Sequence, residues 1–157
     1  MKTEWIRILG TMTNGVYILT TMLEGRMNGM IASWVSQVSY EPPLIAVAVH
    51  ENRFSHGLVQ ESGLFALHVM GMEQKMMVSR FMTSDPETKF SGIGWQPGLT
   101  GCPILEDCVA YFECRVKTSI QPGNHTVFIG EVVNAIMISD AEPLTTRDYH
   151  GQYIGKA

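Results

Sequence analysis

The chain has 157 residues, of which 45% are hydrophobic and 17% charged, and a formal net charge of −4. That length fits a single domain (1–157) with a real core, and the composition excludes a disordered chain. The acidic balance argues against a general nucleic-acid or anionic-membrane surface, and the longest apolar run, Leu44–Val49, is too short to span a bilayer.

The first residues, MKTEWIRILG, lack the apolar middle and cleavage site of a signal peptide, so a cytoplasmic protein is expected. Trp5, Ile8, Leu9 and Met12 fall at helical spacing and predict a short helix over 4–12. Val16–Thr21 reads as a strand, Leu23-Glu24-Gly25-Arg26 as a turn, and Met27–Ser33 as a second strand. Asn28-Gly29 has the look of a turn opening a mixed apolar and hydroxyl segment. Ser36–Tyr40 is a further extended piece, ended by Pro42-Pro43. Leu44–Val49 is apolar throughout and suits a strand covered on both faces.

Asn52 is the expected N-cap of a helix starting at Arg53, with Phe54, Leu58 and Val59 facing inward and Gly63 as the stop. Free amides and the helix dipole favour an anion there, and Ser55 adds a hydroxyl donor. Arg53 in a first turn opposes the dipole unless an anion sits between them. The alternative is an Arg53 pointing into solvent, where the penalty is only ~0.3–1 kcal/mol.

Leu64–Met70 is the next strand, and Met72, Met76, Met77 and Phe81 predict a helix whose methionine face serves as core or subunit interface. Residues 82–103 read as a long Gly/Pro-rich loop. In it Lys89, Phe90 and Trp95 either border a planar ligand or simply pack. From Val109 an alternating pattern sets Ala110, Phe112, Cys114 and Val116 against Tyr111, Glu113, Arg115 and Lys117. Gln121-Pro122-Gly123-Asn124 is a turn, and His125–Ile138 a long strand in which Gly130 marks a bulge or close approach. That strand is apolar on both faces (Val127, Ile129, Val133 against Phe128, Val132, Ile136), which predicts a dimer. The tail, from Pro143, holds Tyr149 and Tyr153 in a possible last hairpin.

Cys102, Cys108 and Cys114 form no CxxC pair, and buried inert thiols are expected at Cys108 and Cys114. The five histidines show no metal-ligand spacing, so no metal site is expected. Many short strands with two or three helices predict a mainly β fold, a small β-barrel with helical caps.

In order, the segments NGM…S…VS…PPL, NRFSH, KFSGIGW, GCPILED, ECRV, GNHTVFIGEV and YHGQY resemble the flavin reductase-like family of FMN-binding split β-barrels, over about Thr13 to Tyr153. The likeness is nearest to its flavoredoxin-type branch, although no rubredoxin cysteine motif is present. The resemblance implies a homodimer, FMN as cofactor, and hydride transfer from NAD(P)H or electron passage to a protein such as a rubredoxin. It implies that Asn28, Met30, Ile31, Ala32, Ser33, Trp34, Val35 and Ser36 line the ring and ribityl chain. It further implies that His50, Asn52, Arg53 and Ser55 hold the phosphate, and that Lys89 and Phe90 close over the cofactor. His125 matches a family histidine near the flavin and nicotinamide, and Tyr149 and Tyr153 fall in a tail motif approaching the same pocket. Read from the residues alone, the better reading of His125 is a strand-start histidine satisfied by the adjacent turn. Trp34 replaces a hydroxyl-rich run, and an enclosed FMN there would favour an electron carrier over a reductase that releases reduced flavin.

Overall fold

The computed structural model describes residues 2–149. Its chain order is α1 (Thr3–Leu9), β1 (Tyr17–Leu23), β2 (Arg26–Ala32), β3 (Val35–Ser39), β4 (Leu44–His50), α2 (Phe54–Ser62) and β5 (Leu64–Val69). Then come α3 (Lys75–Arg80), α4 (Pro86–Phe90), β6 (Trp95–Pro97), β7 (Pro103–Leu105), β8 (Ala110–Ile120) and β9 (His125–Met137). The fold is mainly β with short capping helices, as the spacing of strands and turns predicted.

One antiparallel sheet of seven strands runs β2-β1-β5-β8-β9-β4-β3. Its two edge strands, β2 and β3, are consecutive in the chain and joined only by Ser33-Trp34. Edges so tethered cannot lie at opposite ends of a flat sheet. The sheet therefore curls into a barrel, and β2 comes to lie beside β4 across the seam. Leu19, Val47, Phe65, Leu67, Cys114 and Phe128 fill one core. A second core, with Ile18, Val78, Phe81, Phe90, Leu105 and Leu144, lies under α3 and α4.

Several local expectations give way to packing. Asn28 and Gly29 are not a turn: they sit inside β2, opposite Thr21 and Thr20 of β1. The reversal is at Glu24-Gly25, whose φ angles of 49° and 80° suit the tight hairpin. Gly29 is required instead for close approach, since a Cβ there would strike the Phe81 ring. β4 is buried on one face only, through Ile45, Val47 and Val49. Among the methionines, Met76 is 83% exposed, and Val78 is the buried residue of α3. α1 buries none of its residues.

The alternation of β8 holds through Cys114, with Phe112 and Cys114 in the barrel core and Tyr111 on the opposite face beside Ala66, Cys102 and Ile104. Glu113 lies on that second face, paired with Ala66, and is fully buried because the loop at Leu99-Thr100 covers it. Its carboxylate accepts from Leu99 N, Thr100 N, Thr100 Oγ1 and Asn134 Nδ2. Gly130 marks a close approach, as its residue type suggested: a Cβ would lie 2.7 Å from the Phe65 ring. Cys102, Cys108 and Cys114 are free and buried. Burial pushes the Cys108 and Cys114 thiols up to about 11 and about 12, so they stay protonated and unreactive. No helix among the described residues is long and apolar enough to cross a membrane.

Candidate functional site

Three elements far apart in sequence meet at the start of α2. Asn28 of β2 is the hub. Its Nδ2 donates to Ser55 Oγ of α2 at 2.9 Å, and its Oδ1 accepts from Lys89 Nζ of α4 at 3.0 Å. Lys89 also donates to the Gly29 carbonyl at 2.9 Å. All three side chains are buried, and every bond in the group raises the cost of displacing the others. Ser55 uses an oxygen lone pair toward Asn28, which leaves its hydroxyl hydrogen to donate elsewhere.

Arg53 stands exposed at the rim, as the residue that begins α2 with extended backbone. Asn52 does not cap the helix, because no side chain among the described residues does, and its own amide donates to His50 Nδ1 at 3.1 Å. Among the described residues the first-turn amides of α2 thus carry no side-chain acceptor, which is the condition under which a helix start receives an anion. The Lys89 ammonium is held below its ordinary range, first by burial and then by the Arg53 guanidinium, with Asp85 acting the other way. Two cations close enough to oppose one another beside an uncapped helix start make a local positive field in an acidic protein.

Along the barrel edge a ring cluster forms. β4 and β9 pair His50 directly with His125, and their rings meet edge to face at 4.9 Å. Trp34, from the link between the edge strands, packs on the other side of His125 at 4.7 Å. Burial, His50 and Arg53 all hold the His125 imidazole below its usual range, in that order. His56 of α2 is also lowered, by burial and His50 against the opposing pull of Glu51. Its Nε2 lies 2.7 Å from Thr126 Oγ1.

The remaining expected site residues fall in two groups. Ile31, Ala32 and Phe90 are buried in the core. Phe90 packs edge to face on Phe81 at 5.5 Å and on Trp95 at 5.9 Å. Lys89 and Phe90 therefore form a floor beneath β2 rather than a cover over an open crevice, because α4 folds the long loop under the barrel. Trp34 and Ser36 are exposed, Ser33 is buried, and Met30 and Val35 are half-buried. The side chain of Tyr149 and all of Tyr153 lie outside the described residues. His56 and Thr126 join the cluster without having been anticipated. Asn124 is the last residue of the turn, and its Oδ1 lies 2.8 Å from His125 Nδ1, the contact with the adjacent turn that the residues alone suggested. Among the described residues no three His, Cys, Asp or Glu side chains gather as a metal centre.

The uncapped helix start, two cations and a hydroxyl fit a phosphate, and the adjoining rings fit the edge of a planar heterocycle. The donor set matches a flavin mononucleotide.

The comparisons with known proteins agree with this chemistry. The model of the flavin reductase like domain matches residues 9–155. The chain is 38% identical over 146 residues to a ferric-chelate reductase (NAD(P)H) of Archaeoglobus fulgidus, covering 90% of this chain and 86% of that one. It is 32% identical over 148 residues to a high molecular weight rubredoxin of Moorella thermoacetica, covering 92% of this chain and 65% of that one. Among solved structures, the NADH:FAD oxidoreductase SgcE6 of Streptomyces globisporus C-1027, in complex with NAD and FAD fragments, superposes with a TM-score of 0.83. That pair is 26% identical and covers 90% of this chain and 86% of the other. The barrel, its seam and the match over nearly the whole length place this chain in the flavin reductase-like domain family.

Proposed function

We propose that this single-domain chain is an NAD(P)H-dependent flavin reductase that seats FMN at the seam between β2 and α2. The observation that carries the reading is the Asn28–Ser55–Lys89 cluster with Arg53 at its rim. When bound, the flavin supplies the redox chemistry, taking hydride from the reduced nicotinamide and passing electrons to an acceptor. The chain's own part is binding and orientation. Arg53 and the α2 amides take the phosphate, Lys89 adds charge from below, and Asn28 holds Lys89 and Ser55 in place. Trp34 and the segment from Met30 to Ser36 flank the ring, and His125 faces the incoming nicotinamide.

The similarity to a high molecular weight rubredoxin favours a second reading. In it the same site serves electron transfer to or from a partner such as a rubredoxin, with no nicotinamide turnover. A homodimer fits both readings, because Val127 and Ile129 on the outer face of β9 are only half-buried and Ile136 and Met137 are exposed. Free buried thiols fit a reducing, cytoplasmic setting.

The test is to load the purified protein with FMN and mix it anaerobically with NADH or NADPH. Rapid bleaching of the flavin absorbance supports the reductase, and bleaching only by a reduced protein partner supports the carrier. A protein that takes up no FMN overturns both. Light scattering of the eluted protein gives twice the chain mass if the dimer is right.

A further inference from the structure

We propose that Asn124 is a positioning residue that fixes His125 as its Nδ1–H tautomer, so that Nε2 is offered as a hydrogen-bond acceptor to the carboxamide N–H of the nicotinamide. The inference rests on the reductase reading above.

The Nδ1 of His125 lies 2.8 Å from Asn124 Oδ1. An amide oxygen can only accept, so the ring nitrogen must donate, and the neutral ring then carries its lone pair on Nε2. Nε2 itself has no hydrogen-bond partner among the described residues.

The surroundings keep this arrangement in place. Asn124 is anchored by its carbonyl, which accepts from Glu51 N at 3.2 Å. The imidazole of His125 is held between Trp34 and His50. His50 is fixed in the opposite sense: its Nδ1 accepts from Asn52 N, so a neutral His50 carries its proton on Nε2. The charged and titratable groups that bear on His125 are His50 and Arg53, and both oppose a second proton on its ring.

The polarity matters for recognition. A carboxamide offers two N–H donors at one end and a carbonyl acceptor at the other. An imidazolium, or the Nε2–H tautomer, would pair with the carbonyl. The tautomer set by Asn124 pairs with the amide nitrogen, which turns the carboxamide over and so selects how the nicotinamide ring is presented.

The test uses FMN-loaded protein with 15N-labelled histidine. Long-range 15N–1H spectra at pH 7.5 should show His125 protonated on Nδ1 in the wild type and in Asn124→Asp, whose carboxylate can only accept. In Asn124→Ala the signal should move toward the Nε2–H form, and KM for the nicotinamide should rise roughly ten-fold with kcat changed far less. FMN affinity should hold in both variants, and Asn124→Asp should recover the KM while moving the acid limb of the kcat/KM profile upward in pH. A wild-type His125 found as the Nε2–H tautomer, or an Asn124→Ala variant with unaltered tautomer and KM, overturns the positioning role. A wild type with the expected tautomer but no NAD(P)H oxidation overturns the reductase reading, and the carboxamide assignment falls with it.

Discussion

Lys89 Nζ donates to Asn28 Oδ1 at 3.0 Å across 61 positions of sequence, tying the short helix α4 to the edge strand β2. Asn28→Leu keeps the branched shape and removes both side-chain hydrogen bonds of Asn28. Among the described residues the buried ammonium then keeps only the Gly29 carbonyl as acceptor. A loss of about 1.5–3 kcal/mol in unfolding free energy is expected, the range for hydrogen bonds to charged groups. Urea denaturation measures it, and a midpoint equal to wild type would show that Lys89 re-pairs at no cost.

Arg53→Ala tests the phosphate seat from the exposed side. FMN affinity should fall by about 1.5–3 kcal/mol, with the remaining binding less sensitive to salt than in wild type. Fluorescence titration of FMN at two ionic strengths reads both quantities. Riboflavin, which lacks the phosphate, should bind wild type and variant alike.

His68 supplies a pH prediction. It is fully buried, with Nδ1 donating to the Ile18 carbonyl at 3.0 Å and Nε2 accepting from Leu105 N at 3.1 Å. Burial is the main cause that brings its pKa from 6.5 down to about 4. The unfolded chain therefore binds a proton that the folded chain refuses between those values. Stability is complete above about pH 6.5 and declines as pH falls toward 4, by about 3 kcal/mol from this group. Urea midpoints measured from pH 7.5 to 4.5 should show the decline, and it should be missing in a stably folded His68→Gln variant.

Gly130→Ala should be destabilising by about 1–3 kcal/mol through overpacking against the Phe65 ring and Cys114 Cβ. A second substitution, Phe65→Leu, should restore part of the loss by making room. Thermal melts of the single and double variants decide it.

Much of the fold was legible because strands and turns announce themselves locally. Val16–Thr21, Leu44–Val49 and the 121–124 turn all fall within two residues of the strands and loops found. Tertiary demands hid the rest. Asn28-Gly29 carries strong turn chemistry, yet Asn28 is needed as a buried polar hub and Gly29 as a gap beside Phe81. Asn52 has the right side chain for a cap, but its amide is taken by His50 and the chain enters the helix at Arg53. Glu113 looked like a solvent-facing charge in an alternating strand. The loop at Leu99-Thr100 covers that face, and four hydrogen bonds outweigh the cost of burial and hold the carboxyl below its usual range.

The site divides the same way. Asn28, Arg53, Ser55, Lys89, His50 and His125 were all picked out from segments that resemble the family's. No one-dimensional pattern could show that Asn28 joins Ser55 to Lys89, or that His50 stands opposite His125, because both facts belong to strand register and barrel closure.

The Ser33-Trp34 tether also limits how a guest can arrive. Three virtual bonds of ~3.8 Å separate Ala32 from Val35, so these strand ends can never part by more than ~11 Å. The two edges of the barrel therefore cannot be prised apart at this end.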